Sequence, residues 1–282
     1  MAKELSRCQQ IERSIITTYR KELWSPFILA VKKYRLIEAG DKIAVCISGG
    51  KDSIVLAKLM QELQRHSEAP FELVFLVMDP GYNAENRRKI EENADLLNIP
   101  INVFESDIFA AAESAASEAP CYLCARMRRG HLYAKAKELG CNKIALGHHK
   151  SDVIETTLMG MLYGGQIQGM LPRIKSTNFE GMELIRPLYC VLEQDIIRWR
   201  EFNGLEFIAC ACKFTEGIAA KNGELFSARQ RVKELIAELK KENANIENNI
   251  FQSIHNVQLD TLAEYKKDGK KYSFLEKFSE KR

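Results

Sequence analysis

Between an apolar run over residues 42–47 and a helical pattern over 54–63 stand six residues, Ser48-Gly49-Gly50-Lys51-Asp52-Ser53. A short run rich in β-branched residues and bounded by turn formers suits a buried parallel strand. The return of helical periodicity directly after the glycines gives strand, tight turn, helix. Few arrangements accept that order, because the next parallel strand must come back beside the first by a crossover.

The alternation continues. Residues 71–78, 101–104 and 143–146 read as further strands, with helices over 84–97, 125–139 and from 152 to 162 between and after them. We therefore expect an α/β fold, a doubly wound parallel sheet with helices on both faces and ligands at the C-terminal ends of its strands. Residues 9–40 predict a helical N-terminal segment broken near Ser25-Pro26. After Gly164 the pattern loosens into a loop over 164–172, a short strand over 184–188, a helix over 193–202, an amphipathic helix over 227–244 and a polar tail without a defined fold. The expected organisation is a helical segment over 1–40, a catalytic domain over 41–215 and a helical extension with its tail over 216–282, with no linker cutting the chain into independent domains.

The turn carries chemistry as well as direction. Two glycines let backbone N–H groups approach an anion, and the following helix aims its positive end at the same place. Lys51 can neutralise phosphate, and the Ser48 and Ser53 hydroxyls can donate to it. The pattern is not a Walker A loop, which wants two glycines with four residues between them before the lysine. A plain structural turn is the competing reading of the glycines alone.

Hydrophobic residues make up 46% of the chain and charged residues 28%, as in a soluble protein with a full core. No stretch approaches the roughly 20 apolar residues that span a bilayer, and the charged N-terminus lacks a signal-peptide core, so a cytoplasmic protein without membrane attachment is expected. That compartment keeps thiols reduced, so close-spaced members of the eight cysteines read as metal, cluster or redox sites rather than disulfides. Cys121 and Cys124 form C-x-x-C at a helix start, which lowers thiol pKa. Cys46 and Cys141 read as small buried hydrophobes, and Cys8 and Cys190 carry no spacing signal. A net charge of +3 neither demands nor excludes a nucleic acid.

Several motifs fall in one order: S-G-G-K-D-S at 48–53, P-C-x-x-C-x-x-x-R-R-G at 120–130, G-H-H-x-x-D at 147–152, G-G-x-x-x-G-M-x-P at 164–172 and I-R-P-L at 185–188. Together they resemble the PP-loop ATP pyrophosphatases, and within them the tRNA 2-thiolation branch, nearest its 2-thiocytidine-forming members. The resemblance implies an adenine nucleotide alpha hydrolase-like fold and adenylation of a tRNA pyrimidine O2 by ATP. It places ATP on Ser48, Gly49, Gly50, Lys51, Asp52, Ser53, Asp79 and Gly147, with Lys51, Asp52 and Asp152 catalytic and Mg²⁺ on Asp152. It implies a [4Fe–4S] cluster on Cys121, Cys124 and a third cysteine, with one iron left open for sulfide. Cys212 and Cys210 both remain candidates for that third place, Cys212 being favoured by the residues that follow it. Arg126, Arg128, Arg129, Lys175 and Arg186 become the tRNA-backbone candidates, and the implied partners are tRNA, a sulfur donor (cysteine desulfurase or sulfide) and a second copy of the chain.

Some positions have a second reading. Asp152 also suits the N-cap of its helix, and Asp79-Pro80-Gly81 suits a simple turn. Ser151 stands where the family carries a second acid. His148 and His149 suit contact with nucleotide, cluster or tRNA, or a buried structural role. The nearest rival activity is 2-thiouridine formation, whose enzymes often carry extra C-x-x-C pairs at both ends, which this chain lacks. Of another class is a non-catalytic nucleotide- or tRNA-binding, or sulfur-carrying, protein. Intact Lys51, Asp52, Ser53 and Asp152 speak against it.

Overall fold

The computed structural model describes residues 4–106, 120–208 and 228–279. Two compact units emerge, one from residues 1–153 and 170–227, the other from 154–169 and 228–282.

The first unit is built on six strands, β1 (Lys42–Ile47), β2 (Glu72–Asp79), β3 (Ile101–Glu105), β4 (Lys143–Ala145), β5 (Arg173–Lys175) and β6 (Glu183–Ile185), in the order β3-β2-β1-β4-β6-β5. Every neighbouring pair runs parallel except β5 and β6. The central strand β1 is buried from Ile43 to Ile47, as a strand covered on both faces must be. The covering helices are α3 (Lys51–His66), α4 (Ala84–Leu96), α5 (Pro120–Glu138), the start of α6 (Lys150–Gly164) and α7 (Glu193–Phe202). This is the expected doubly wound α/β fold. From β1 the chain winds outward through β2 and β3, then returns to the other side of β1 with β4. The order thus reverses between β1 and β4, and the C-terminal ends of those two strands frame the crevice where ligands bind in such sheets.

The N-terminal helical segment is α1 (Arg7–Ile16), a π-helical turn (Arg20–Trp24) and α2 (Ser25–Lys33), with Pro26 in the first turn of α2. The break expected near Ser25-Pro26 lies earlier, at Thr17–Tyr19: the π turn, which the periodicity does not announce, runs without interruption into α2 at Ser25. Trp199 of α7 is fully buried and donates to Ser14 Oγ of α1 at 3.0 Å, which ties the segment to the sheet domain. Strand β5 is an addition, a three-residue antiparallel edge just past the loop expected over 164–172.

In the second unit, α8 (Ala228–Glu242) buries Val232 and Ile236, and α9 (Ile246–Ser253) buries Phe251. The buried Glu155 lies 3.6 Å from both Arg229 and Lys233 of α8. The polar tail is not featureless: β7 (Glu264–Lys267) and β8 (Lys270–Ser273) pair antiparallel across Asp268 and Gly269, whose φ angles are 52° and 76°. Positive φ at both central residues is the type I′ hairpin turn that Asp-Gly favours. Among the described residues no helix is long and apolar enough to cross a membrane.

Candidate active site

β1 leads into the turn at Ser48, and Gly50 is the N-cap of α3. Gly49 has φ +81°, and a Cβ there would stand 2.6 Å from Ile90 Cγ1 and 2.7 Å from Ile208 Cδ1. Only glycine accepts both the left-handed backbone and that approach. Inside the turn Ser53 Oγ donates to the Gly50 carbonyl at 2.9 Å and accepts from Ser48 N–H at 3.2 Å. The first turn of α3, with its positive end, opens at this point.

Lys51 Nζ lies 3.1 Å from Asp52 Oδ2 and 2.9 Å from Glu193 Oε1. Burial works against its charge, but Asp52 and Glu193 outweigh burial and hold its pKa above the ordinary value. Glu193 is the first residue of α7, and its N–H donates to Ser151 Oγ at 3.2 Å. Ser151 thus holds the start of α7 beside the turn over residues 48–53. Nothing in the sequence pattern singles out Glu193, because its partner is 142 residues away.

After β4, Gly147 passes so close to α3 that a Cβ would stand 3.1 Å from the Asp52 carbonyl carbon and 3.2 Å from Ser53 N. His149 N–H donates to Asp152 Oδ2 at 3.0 Å, and Asp152 N–H donates back to His149 Nδ1 at 3.2 Å. With α6 starting at Lys150, this is a capping box in which His149 is the N-cap and Asp152 the third helical residue. The cap considered for Asp152 therefore falls to His149, which is buried. On its other side His149 Nε2 lies 3.7 Å from Asp52 Oδ1.

A cavity of about 280 Å³ opens here, lined by Ser48, Asp52, Ser53, Gly147, His148 and Asp152, with Met78, Leu132 and Leu146 as apolar wall and Tyr82 and Arg128 beside them. Magnesium with nucleotide phosphates fits this set. Asp52 Oδ1 is buried yet accepts no hydrogen bond, which leaves a hard oxygen donor beside a lysine and a helix N-terminus. Asp79 is employed differently: its carboxylate accepts from Gly81 and Tyr82 N–H at 2.8 and 2.7 Å and pairs with Arg87 at 3.2 Å.

The basic candidates separate. Arg128 lines the cavity, while Arg129 on the same helix is exposed. Arg186 is buried, donates from Nη1 to the Leu171 carbonyl, and keeps an Nε without a hydrogen-bond partner. Burial, with the Arg129 charge nearby, lowers its pKa to about 10. Lys175 lies at the opposite end of the sheet, across from Glu183. The Arg126 side chain lies outside the described residues.

Cys121 and Cys124 fall at the start of α5. Their side chains, and all of Cys210 and Cys212, lie outside the described residues. Among the described residues no group of three or more His, Cys, Asp or Glu side chains is arranged to hold a metal ion. Cys46 and Cys141 are buried as expected, and burial pushes the Cys46 thiol up to about 12.

The chain is similar to known proteins. A PP-loop domain family matches residues 21–212. The chain is 35% identical over 238 residues to the tRNA-cytidine(32) 2-sulfurtransferase of Vibrio cholerae, covering 84% of this chain and 74% of that protein. It is 35% identical over 248 residues to the protein of that name from Alkalilimnicola ehrlichii, covering 87% and 75%. Among solved structures, the U34-tRNA thiolase NcsA from Methanococcus maripaludis, solved with its [4Fe-4S] cluster, is similar in fold, with TM-score 0.65 at 19% identity over 86% of this chain and 80% of that one. By motif order, fold and relatives alike, the chain belongs to the PP-loop domain family and, within it, to the tRNA-cytidine(32) 2-sulfurtransferases.

Proposed function

We propose that this chain converts a cytidine of the tRNA anticodon loop to 2-thiocytidine at the expense of ATP. One observation carries the reading. The phosphate loop and both carboxylates, Asp52 and Asp152, line the same cavity as Arg128, which follows Cys124 by four residues on α5. Nucleotide chemistry and the cysteine-bearing helix therefore meet at one place.

ATP lays its phosphates on residues 48–53 and its base against Met78, Leu132 and Leu146. Asp152 and Asp52 hold Mg²⁺ there. The cytidine O2 attacks the α-phosphate and pyrophosphate leaves. The α3 N-terminus and Lys51 offset the charge that grows on the phosphates. Sulfide then adds at C2 and AMP departs with the former O2, so one C–S bond replaces one C–O bond. A [4Fe–4S] cluster on Cys121, Cys124 and Cys212 or Cys210 supplies that sulfide when bound. The target base must leave its stack to enter the cavity, as in other base-modifying enzymes. Arg126 and Arg129, with Lys175 farther off, meet tRNA phosphates, and the buried Arg186 feels the Arg129 charge. A sulfur donor, cysteine desulfurase or free sulfide, completes the partners, with a second copy of the chain, in the cytoplasm.

The test is anaerobic incubation of cluster-reconstituted protein with unmodified tRNA, ATP, Mg²⁺ and sulfide, followed by nucleoside mass spectrometry. ATP-dependent 2-thiocytidine is expected. 2-Thiouridine in its place would reassign the base, and absence of any thionucleoside and of tRNA-dependent pyrophosphate would overturn the reading.

A further inference from the structure

Helix α6 starts on an unusual residue. Ser, Thr, Asn and Asp are the preferred N-caps because a short side-chain acceptor reaches the N–H groups of the first turn. Here the acceptor is His149 Nδ1, which takes the Asp152 N–H at 3.2 Å while Asp152 Oδ2 takes the His149 N–H at 3.0 Å. A smaller side chain would cap as well. What a smaller side chain lacks is a second nitrogen on the far side of a ring.

That second nitrogen has a definite orientation. With Nδ1 accepting from the Asp152 N–H, Nε2 is the nitrogen left to carry an N–H. Nε2 lies 3.7 Å from Asp52 Oδ1, the buried carboxylate oxygen that accepts no hydrogen bond. The other oxygen, Oδ2, is 3.1 Å from Lys51 Nζ. The imidazole is buried at 3% exposure, so its place is set by packing and not by solvent. A single residue thus holds Asp152 through its Nδ1 and its backbone N–H and faces the Asp52 carboxylate with its Nε2. The two carboxylates come from different helices, α3 after β1 and α6 after β4, which no shared backbone keeps in register.

We propose that His149 is a positioning residue that sets the relation between Asp52 and Asp152, its Nδ1 locking Asp152 through the helix cap and its Nε2–H steering Asp52. At 3.7 Å the Nε2 contact is electrostatic rather than a hydrogen bond. It orients the carboxylate while leaving Oδ1 to a cation. The inference rests on the reading of this cavity as a magnesium–nucleotide site.

Two substitutions separate the two nitrogens. His149→Asn keeps a good cap and loses the far N–H, and His149→Gln offers an amide N–H near the Nε2 position and gives up the short cap. The measurement is Mn²⁺ binding in the presence of a non-hydrolysable ATP analogue, followed by EPR of the free ion, alongside thermal unfolding. Wild type binding Mn²⁺ only with the nucleotide establishes the site itself, and failure there would sink the reading of the cavity rather than the role of His149. Given that control, H149N should unfold near the wild-type temperature yet bind Mn²⁺ about 10–100-fold more weakly, the range lost when a supporting contact to a metal site is removed. H149Q, which keeps a far N–H but gives up the cap, should lose less affinity than H149N. Wild-type affinity in H149N, or a loss in H149Q as large as in H149N, would overturn the proposal and leave His149 a helix cap alone.

Discussion

At the N-terminal ends of β1, β4 and β6, Lys143 Nζ sits 2.6 Å from Asp41 Oδ2 and 3.1 Å from the Leu36 carbonyl, and Arg173 grips both oxygens of Glu183 at 2.7 and 3.1 Å. Asn142 takes the remaining Asp41 oxygen at 2.7 Å, and Arg173 also reaches Glu38 at 3.0 Å. At the C-terminal ends of β1 and β4 the charges are as close together, yet Asp52 Oδ1 is buried and accepts nothing. The cavity at the saturated end is the larger, about 380 Å³ against about 280 Å³. Volume does not locate the chemistry. What distinguishes the two ends is whether buried charge is already satisfied by the protein, because a satisfied network holds strands together and an incomplete one waits for a ligand.

The largest expected effect breaks the saturated end. Lys143→Ala leaves Asp41 buried without its cation, and urea unfolding should show a loss of about 3–5 kcal/mol. Activity per folded molecule should be unchanged. The same network predicts an acid response. Burial would raise the Asp41 carboxyl, but the bonds from Lys143, Asn142 and the Glu38 N–H outweigh it and hold its pKa below the ordinary value. Its contribution to stability is therefore complete above about pH 3.9, the unfolded-chain value, and is lost as pH falls through the depressed one. Unfolding midpoints of Asp41→Asn should fall less steeply with acid there than those of wild type.

At the incomplete end the pattern inverts. Asp52→Asn should lower tRNA-dependent pyrophosphate release about 10²–10³-fold, the scale of losing one electrostatic stabiliser, while the unfolding midpoint holds or rises. A fall in both would erase the contrast between the two ends. Gly147→Ala forces a methyl against the Asp52 and Ser53 backbone and should cost about 1–3 kcal/mol by overpacking, with a raised KM for ATP. Smallest is Glu193→Gln. On the proposed reading Lys51 exchanges Glu193 for phosphate, and a partly exposed pair is worth about 0.2–1 kcal/mol, so calorimetry should find ATP bound up to about fivefold more tightly.

Much of the first unit is legible in the sequence because its signals are local. The apolar run of β1, the two glycines and the periodicity of α3 each need only their neighbours, and helix α7 lies at residues 193–202 as its pattern predicts. Gly147 stands in a recognisable motif, although its reason, the passing backbone of α3, is visible only in three dimensions. Glu193 and the far nitrogen of His149 gain their meaning across long sequence separations, which no periodicity encodes. The π turn over Arg20–Trp24 adds a residue to a helix without breaking its apolar stripe. Hairpin β7–β8 carries the Asp-Gly signal, but its strands, Glu-Tyr-Lys-Lys and Lys-Lys-Tyr-Ser, bury little and so lack apolar alternation. Of the candidate site, motif order marks Ser48, Asp52, Ser53 and Asp152, which line one cavity, but not the separation of Arg128 from Arg129.

The most direct measurement follows one atom. Adenylation of the base requires the cytidine O2 to leave as part of AMP. With tRNA carrying a heavy oxygen isotope at that position, a single turnover analysed by mass spectrometry should place the label in the AMP phosphate, one label for each 2-thiocytidine formed. Unlabelled AMP alongside labelled water or inorganic phosphate would contradict the account.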